Sequence, residues 1–222
     1  MPTSVEILDI VPVTHNVRHY TLEKPEGFTF EPGQATEVSI DKEGWRDKKR
    51  PFTFTSLPEW DHLEFTIKSY FDHDGVTNEL WSAKPGDRLL LRDVWGTITY
   101  KGPGTFIAGG AGITPFIAIL RRLHTDHHLE DHRLIASHRT AGDIILRDEF
   151  ESMRGLQILW TVTDDPTAER VEHQRIDEDF LKRYIHDISQ NFYICGPDPM
   201  VKDIRGLLEG LGATTDALTW EK

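Results

Sequence analysis

Thr105–His124, TFIAGGAGITPFIAILRRLH, is the stretch on which the fold turns. Phe106 and Ile107 make a short strand-type run that enters Gly109-Gly110-Ala111-Gly112. Phe116, Ile117, Ile119, Leu120 and Leu123 then recur at helical spacing, so one face of the following segment is apolar. Strand, glycine turn and helix follow in that order. Glycines let the main chain bend sharply and approach a ligand, and the unpaired N–H groups of a helix's first turn face that ligand with a positive dipole end. Such a loop suits a dinucleotide phosphate. Pro115 fits the first turn, where its missing N–H costs nothing. The spacing is not G-x-G-x-x-G, so the standard Rossmann fingerprint is not met, and a strand-to-helix corner often needs one glycine simply to turn.

Downstream, strand-type runs alternate with helical ones. The strands read as Thr105–Ala108, Arg133–His138, Gln157–Thr163, Asn191–Cys195 and Ala217–Trp220. Between them lie helices at Thr114–His124, Asp143–Met153, Asp177–His186 and Pro199–Leu211, with Asp143, Asp177 and Asp198 as N-cap candidates. This alternation predicts a doubly wound α/β domain on a five-stranded parallel sheet, with ligands at the carboxyl ends of its strands. Upstream, Val5–Val13, Val17–Leu22, Gln34–Ile40, Phe52–Ser56, Leu63–Tyr70, Arg88–Arg92 and Thr97–Tyr100 read as strands, with one short helix over Gly75–Lys84. Many alternate, as in Leu63-Glu64-Phe65-Thr66-Ile67-Lys68, so each should have one buried and one wet face. An antiparallel barrel follows for residues 1–102, and the α/β domain for 103–222, joined through Lys101-Gly102-Pro103-Gly104.

A net charge of −12 over 222 residues argues against general nucleic-acid binding or an anionic membrane surface. The single cysteine, Cys195, excludes an internal disulfide and a cysteine-ligated iron–sulfur cluster. With no targeting pattern and no apolar run of membrane-spanning length, the cytoplasm is the expected location. His124, His127, His128 and His132 cluster around a helix end, but no carboxylate or thiol completes a clear set of ligands, so a solvated end and no metal are expected.

Arg50-Pro51-Phe52-Thr53-Phe54-Thr55-Ser56 puts a fixed cation, aromatic rings and hydroxyls on one strand. An arginine pairs with phosphate, a ring lies against a flat heterocycle, and a hydroxyl reaches a ring nitrogen. An ordinary amphipathic strand behind a basic loop has the same composition. Other motifs decide between the two. Phe30-Glu31-Pro32-Gly33-Gln34 matches F-x-P-G-Q, and Arg50-Pro51-Phe52-Thr53 matches R-x-Y-[ST] with phenylalanine for tyrosine. Gly75-Val76-Thr77 is one residue shorter than G-x-x-[ST] and precedes Pro85-Gly86-Asp87, while Cys195-Gly196-Pro197-Asp198-Pro199-Met200 matches C-G-P-x-x-M. Together these resemble the ferredoxin-NADP reductase family of flavoproteins, in particular its small bacterial members without a fused cluster domain.

The resemblance implies an FAD-dependent NAD(P)H oxidoreductase that passes hydride to flavin and then electrons to a separate carrier. That carrier would be a ferredoxin, a flavodoxin or an oxygenase component. An electron-transfer subunit of a larger complex and a non-catalytic nucleotide sensor are the alternatives. In the family pattern Arg50 holds the flavin pyrophosphate, Phe52 and its neighbour Pro51 lie along the isoalloxazine, and Thr53 hydrogen-bonds near its N5. Ile67, Lys68 and Tyr70 contact the rest of the FAD, and Gly75, Val76 and Thr77 offer N–H groups to the pyrophosphate. Gly110, Gly112, Thr114 and Pro115 form the pyridine-nucleotide loop, and Cys195, Gly196, Pro197 and Met200 fix the nicotinamide. Relatives close with a carboxylate and an aromatic residue, roles that fall here to Glu221 and Trp220. Asp164 and Asp165 would repel the 2′-phosphate of NADP, whereas Arg139 on the neighbouring strand would attract it; NADH is expected, with NADPH the alternative. Trp45-Arg46-Asp47-Lys48-Lys49 reads as a solvated loop or as a basic rim that steers an acidic carrier.

Overall fold

The computed structural model describes residues 2–72, 74–96 and 98–220. Its first sheet has six strands: β1 (Thr3–Thr14), β2 (Val17–Glu23), β3 (Gln34–Ile40), β4 (Arg50–Thr53), β5 (His62–Lys68) and β6 (Arg88–Gly96). They are antiparallel in the order β4-β3-β6-β1-β2-β5. Just past β4, Phe54 bridges Phe65 of β5 and the Thr55 N–H donates to the Glu64 carbonyl, which brings the two edge strands together and closes the sheet as a barrel. Phe30, Phe54 and Phe65 stack inside it, with ring centres 4.4 and 5.0 Å apart. Helix α1 (Val76–Trp81) plugs one end, where the Tyr20 hydroxyl donates to the Leu80 carbonyl.

The second sheet is parallel throughout, in the order β11-β10-β7-β8-β9, with β7 (Gly104–Gly109), β8 (Arg133–His138), β9 (Gln157–Val162), β10 (Asn191–Cys195) and β11 (Leu218–Trp220). Adjacent strand residues feed opposite cores. Phe106, Leu134 and Tyr193 pack with α2 (Thr114–Thr125) and α3 (Arg147–Ser152), while Ile107, Ile135 and Ile194 pack with α4 (Glu178–Tyr184) and α5 (Asp198–Gly210). The strand order reverses between β7 and β10, so the crevice between their carboxyl ends is where a ligand is expected.

Several local expectations change. Strand β6 runs on to Gly96 because Val94, Trp95 and Gly96 pair with Thr36, Ala35 and Gln34, and Ile98–Tyr100 is not strand; Thr97 lies outside the described residues. The helix expected over Asp143–Met153 is split. Thr140 caps a 3-10 turn at Ala141–Asp143 in which Asp143 is the return partner, and Leu146 turns left-handed (φ 54°) before α3. Asp177 caps α4 through the Phe180 N–H as expected, but Pro197 precedes α5 and Asp198 is its first residue, with no side-chain cap. Strand β5 has no wet face: Glu64 and Thr66 are buried with Leu63, Phe65 and Ile67, Glu64 against Arg121 of the second domain and Thr66 against His19 and Thr55 of the barrel. His132 is also buried, its Nε2 2.8 Å from the Tyr100 hydroxyl, and so is not part of a solvated helix end. Among the described residues no helix is long and apolar enough to cross a membrane.

Candidate functional site

A cleft of about 740 Å³ opens between the barrel and the carboxyl ends of the parallel strands. One wall is barrel: Pro51, Phe52 and Thr53 of β4, Thr66, Ile67 and Lys68 of β5, then Tyr70 and Thr77. The other comes from the turns after β7 and β10, Gly109–Gly112 with Thr114 and Cys195–Pro197 with Met200. Ser137, His138, Arg139, Asp143 and Thr163 continue this wall past β8 and β9. The volume is in the range of small-molecule and cofactor sites.

The glycines of the loop have separate reasons. Gly110 adopts φ 53°, and a Cβ there would meet nothing within 4 Å, so the backbone conformation is what favours glycine. Gly112 is needed for closeness, since a Cβ would strike the Cys195 carbonyl and the Gly196 Cα. A Cβ on Gly109 would strike Met200 Sδ and, at 2.9 Å, Pro197. The turns after β7 and β10 therefore pack on one another and build the back of the cleft together. The Thr114 hydroxyl donates to the Ala111 carbonyl at 2.9 Å and steadies the loop where it becomes helix.

Charge is graded along the cleft. At its outer end Arg139 Nε donates to Asp164 Oδ2 at 2.9 Å. The bond from Arg139 holds the Asp164 carboxyl below the usual range, and Asp165, accepting from the Ala141 N–H, is held low as well. Deeper in, Asp143 is pushed up by burial, but bonds from the Thr140 side chain and main chain, with Lys68 and His15 nearby, outweigh this and keep it low. His138 is 4% exposed and neither ring nitrogen makes a hydrogen bond. Burial pushes its pKa down to about 4, opposed by Asp143 and helped by Lys68. The imidazole is neutral near neutral pH.

The structure gathers most residues singled out in the sequence. Pro51, Phe52, Thr53, Ile67, Lys68, Tyr70 and Thr77 line the barrel wall, and Gly110, Gly112, Thr114, Arg139, Cys195, Gly196, Pro197 and Met200 the other. Six described ones stand apart. Arg50 is exposed and donates to the Lys49 carbonyl; Gly75 precedes the short α1, and Val76 is buried in the barrel core. Pro115 is buried in the first turn of α2, and Asp164 reaches the cleft only through Arg139. Trp220 is not among the residues lining the cleft; it lies in the edge strand β11 with the Arg205 guanidinium 3.4 Å from its ring centre. Glu221 lies outside the described residues. Thr66, His138, Asp143 and Thr163 also line the cleft, although reasoning from sequence assigns none of them a cofactor-binding role. His138 and Thr163 stand at the carboxyl ends of predicted parallel strands, a position that could have marked them, whereas Thr66 joins the site only through the pairing of β5 with β2.

A second cavity, of about 870 Å³, lies toward the other end of α2, between Pro32, Ile98, Ile119 and Leu123 under a rim that includes Asp126 and Asp131. It touches neither the glycine loop nor the turn after β10. Among the described residues no three His, Cys, Asp or Glu side chains gather as a metal site.

Residues 106–206 match the family model described as oxidoreductase NAD-binding domain. The chain is 27% identical to the reductase component of propane 2-monooxygenase from Mycolicibacterium goodii, over 97% of this chain and 66% of that protein. It is 27% identical to NADH-cytochrome b5 reductase 2 of Mycosarcoma maydis, over 89% and 62%. It therefore spans just under two thirds of the length of these relatives. Among solved structures, a ferredoxin NADP+ reductase from Neisseria gonorrhoeae with bound FAD and NADP superposes with a TM-score of 0.85 at 22% identity, over 99% of this chain and 98% of the other.

Proposed function

We propose that the chain is an FNR-like, flavin-dependent NAD(P)H reductase passing electrons to a separate protein, a reading supported by the match of residues 106–206 to the oxidoreductase NAD-binding domain and by the likeness to the propane 2-monooxygenase reductase component. The observation that carries this reading is the cleft itself, where the half-buried ring of Phe52 and the Thr53 side chain face the paired turns after β7 and β10 across one space. The donor set fits an FAD beside a nicotinamide. Phe52 offers a flat apolar surface, Thr53 a hydroxyl, Lys68 a cation, and Gly110 an open approach to the main chain. FAD bound there supplies a two-electron acceptor for hydride that releases electrons one at a time.

The protein's own part is placement and exclusion of water. Phe52 and Pro51 fix the plane of the heterocycle, and Thr53 offers its hydroxyl to the reactive edge. Cys195, Gly196 and Thr114 set the approach of the nicotinamide, while the loop N–H groups receive the diphosphate. NADH is the proposed donor, because Asp164 already occupies the charge of Arg139 and would repel a 2′-phosphate. An oxygenase component is the favoured acceptor, supported by the name of the propane 2-monooxygenase relative. Protein reconstituted with FAD should bleach its flavin absorbance on anaerobic addition of NADH. A preparation that cannot retain FAD, or whose flavin stays oxidised under NADH and NADPH alike, would refute the proposal.

A further inference from the structure

Arg121 belongs to α2, whose first turn walls the cleft, yet its guanidinium spends its donors elsewhere. Nε and Nη2 bind both oxygens of Glu149 on α3, at 2.6 and 2.9 Å. Nη1 crosses to the barrel and donates to Glu64 Oε1 at 2.6 Å and to the Thr55 carbonyl at 2.7 Å. Glu64 Oε1 also accepts from the Thr55 hydroxyl, which accepts in turn from Thr66, whose hydroxyl lies 2.8 Å from His19 Nδ1. The side chains of Arg121 and Glu64 are 10 and 11% exposed. Burial pushes the arginine's pKa down, but the bonds and charges of Glu149 and Glu64 outweigh this and raise it above its ordinary value.

Two short levers run from this knot into the site. Thr55 is two residues beyond Thr53, on the same side of an extended chain and about 7 Å away. Arg121 is seven residues beyond Thr114, about 10 Å along the helix. Domains joined by an ordinary interface move relative to each other by default. Here one buried cation ties the strand that presents Thr53 to the helix that presents Thr114. We propose that Arg121 is a positioning residue for hydride transfer, setting the distance between the two cofactors by clamping α2 to Thr55 and Glu64; this rests on the reductase reading above. A tilt of about 5° at Arg121 moves Thr114 by about 1 Å over that length, a displacement that costs as much as about a hundredfold when reacting atoms must meet.

The test uses the FAD-loaded protein, wild type and Arg121→Met, Arg121→Lys and Arg121→Gln, in anaerobic stopped-flow reduction by NADH with calorimetric titration of NAD+. Arg121→Met should slow the limiting rate of flavin reduction by about tenfold to a hundredfold. It should also weaken the long-wavelength charge-transfer absorbance of stacked flavin and nicotinamide. FAD content and the NAD+ dissociation constant should stay within about twofold, since the contacts of each cofactor lie within one domain. Arg121→Lys should recover part of the rate. A rate within about twofold of wild type with the absorbance band intact overturns the proposal, as does a fall in rate that only tracks lost FAD. Should Arg121→Met not fold, Arg121→Gln, neutral and too short to reach Glu149 and Glu64 together, takes its place, and a wild-type rate and band in that variant overturns the proposal equally. A wild type that NADH does not reduce refutes the reductase reading instead, and the proposal with it.

Discussion

His138 gives the protein a weakness to mild acid that can be sized from its surroundings. The ring is 4% exposed, sits 6.3 Å from the Trp160 ring, and has no hydrogen bond at either nitrogen. Unfolded, it takes a proton near its ordinary value of 6.5; folded, burial delays this to about 4. Between those values the unfolded chain binds a proton that the native one refuses, so stability present above pH 6.5 is lost as pH falls toward 4. From about pH 7 to about pH 5 the loss from this one group comes to about 2 kcal/mol. Burial lowers His19 and His132 in the same sense, and the low carboxyls of Asp143 and Glu64 add their losses further down, so the wild-type slope is a sum. Replacing His138 with leucine isolates the term. It removes the titration and both orphaned nitrogens, so stability near neutral pH should hold or rise. Urea unfolding at a fixed FAD excess should then show a loss between about pH 7 and about pH 5 smaller by about 2 kcal/mol than in wild type. Parallel pH profiles for the two proteins would refute the assignment of a buried, neutral imidazole.

Three further outcomes follow from the cleft. Gly112→Ala would drive a methyl group into the Cys195 carbonyl and part the two turns, so NAD+ affinity should fall by about tenfold or more at unchanged FAD content; calorimetry reads this directly. Asp164→Ala releases an Arg139 side chain that is 80% exposed, and the ratio of kcat/KM for NADPH over NADH should rise by about tenfold; an unchanged ratio would move donor choice to other residues. Phe52→Ala and Phe54→Ala should separate two roles. Phe54 stacks inside the barrel, and its loss should cost about 3–5 kcal/mol of stability. Phe52 is half-buried at the cleft, and its loss should release FAD with little change in apoprotein Tm, as flavin absorbance recorded alongside a thermal melt would show.

What could be read in advance depended on how local its cause was. Alternation between strand and helix after residue 104, Pro115 in a first turn and Asp177 as a cap all follow from spacing and from one residue's own chemistry, and each stands where it was expected. The break at Leu146 does not, because Thr140 and Asp143 satisfy each other in a capping box and end the turn before the helix begins. Trp220 stands away from the cleft lining for a different reason. An aromatic residue near the end of the chain says nothing about which strand it will join, and pairing with Ile194 carries it to the sheet edge under Arg205.

The alternating stretch Leu63–Lys68 shows where such reading stops. Period-two polarity predicts a wet face, but Thr66 is met by His19 on β2 and Thr55 within the barrel, and Glu64 by Thr55 and by Arg121 on α2, which only the second domain supplies. A carboxylate is rarely buried unless it is paired. Glu64 is buried where Arg121 of the second domain stands against it, 2.6 Å away. Arg121, which carries no signal in its own stretch of sequence, finds its partners Glu64 and Thr55 on the other domain, whereas Thr66 is met by His19 and Thr55 of the barrel itself. The glycine loop belongs with Arg121. Its spacing suits a cradle for phosphate, yet Gly112 is glycine because the Cys195 carbonyl stands against it. The approach that lets a ligand in is a consequence of two turns from distant parts of the chain packing main chain to main chain.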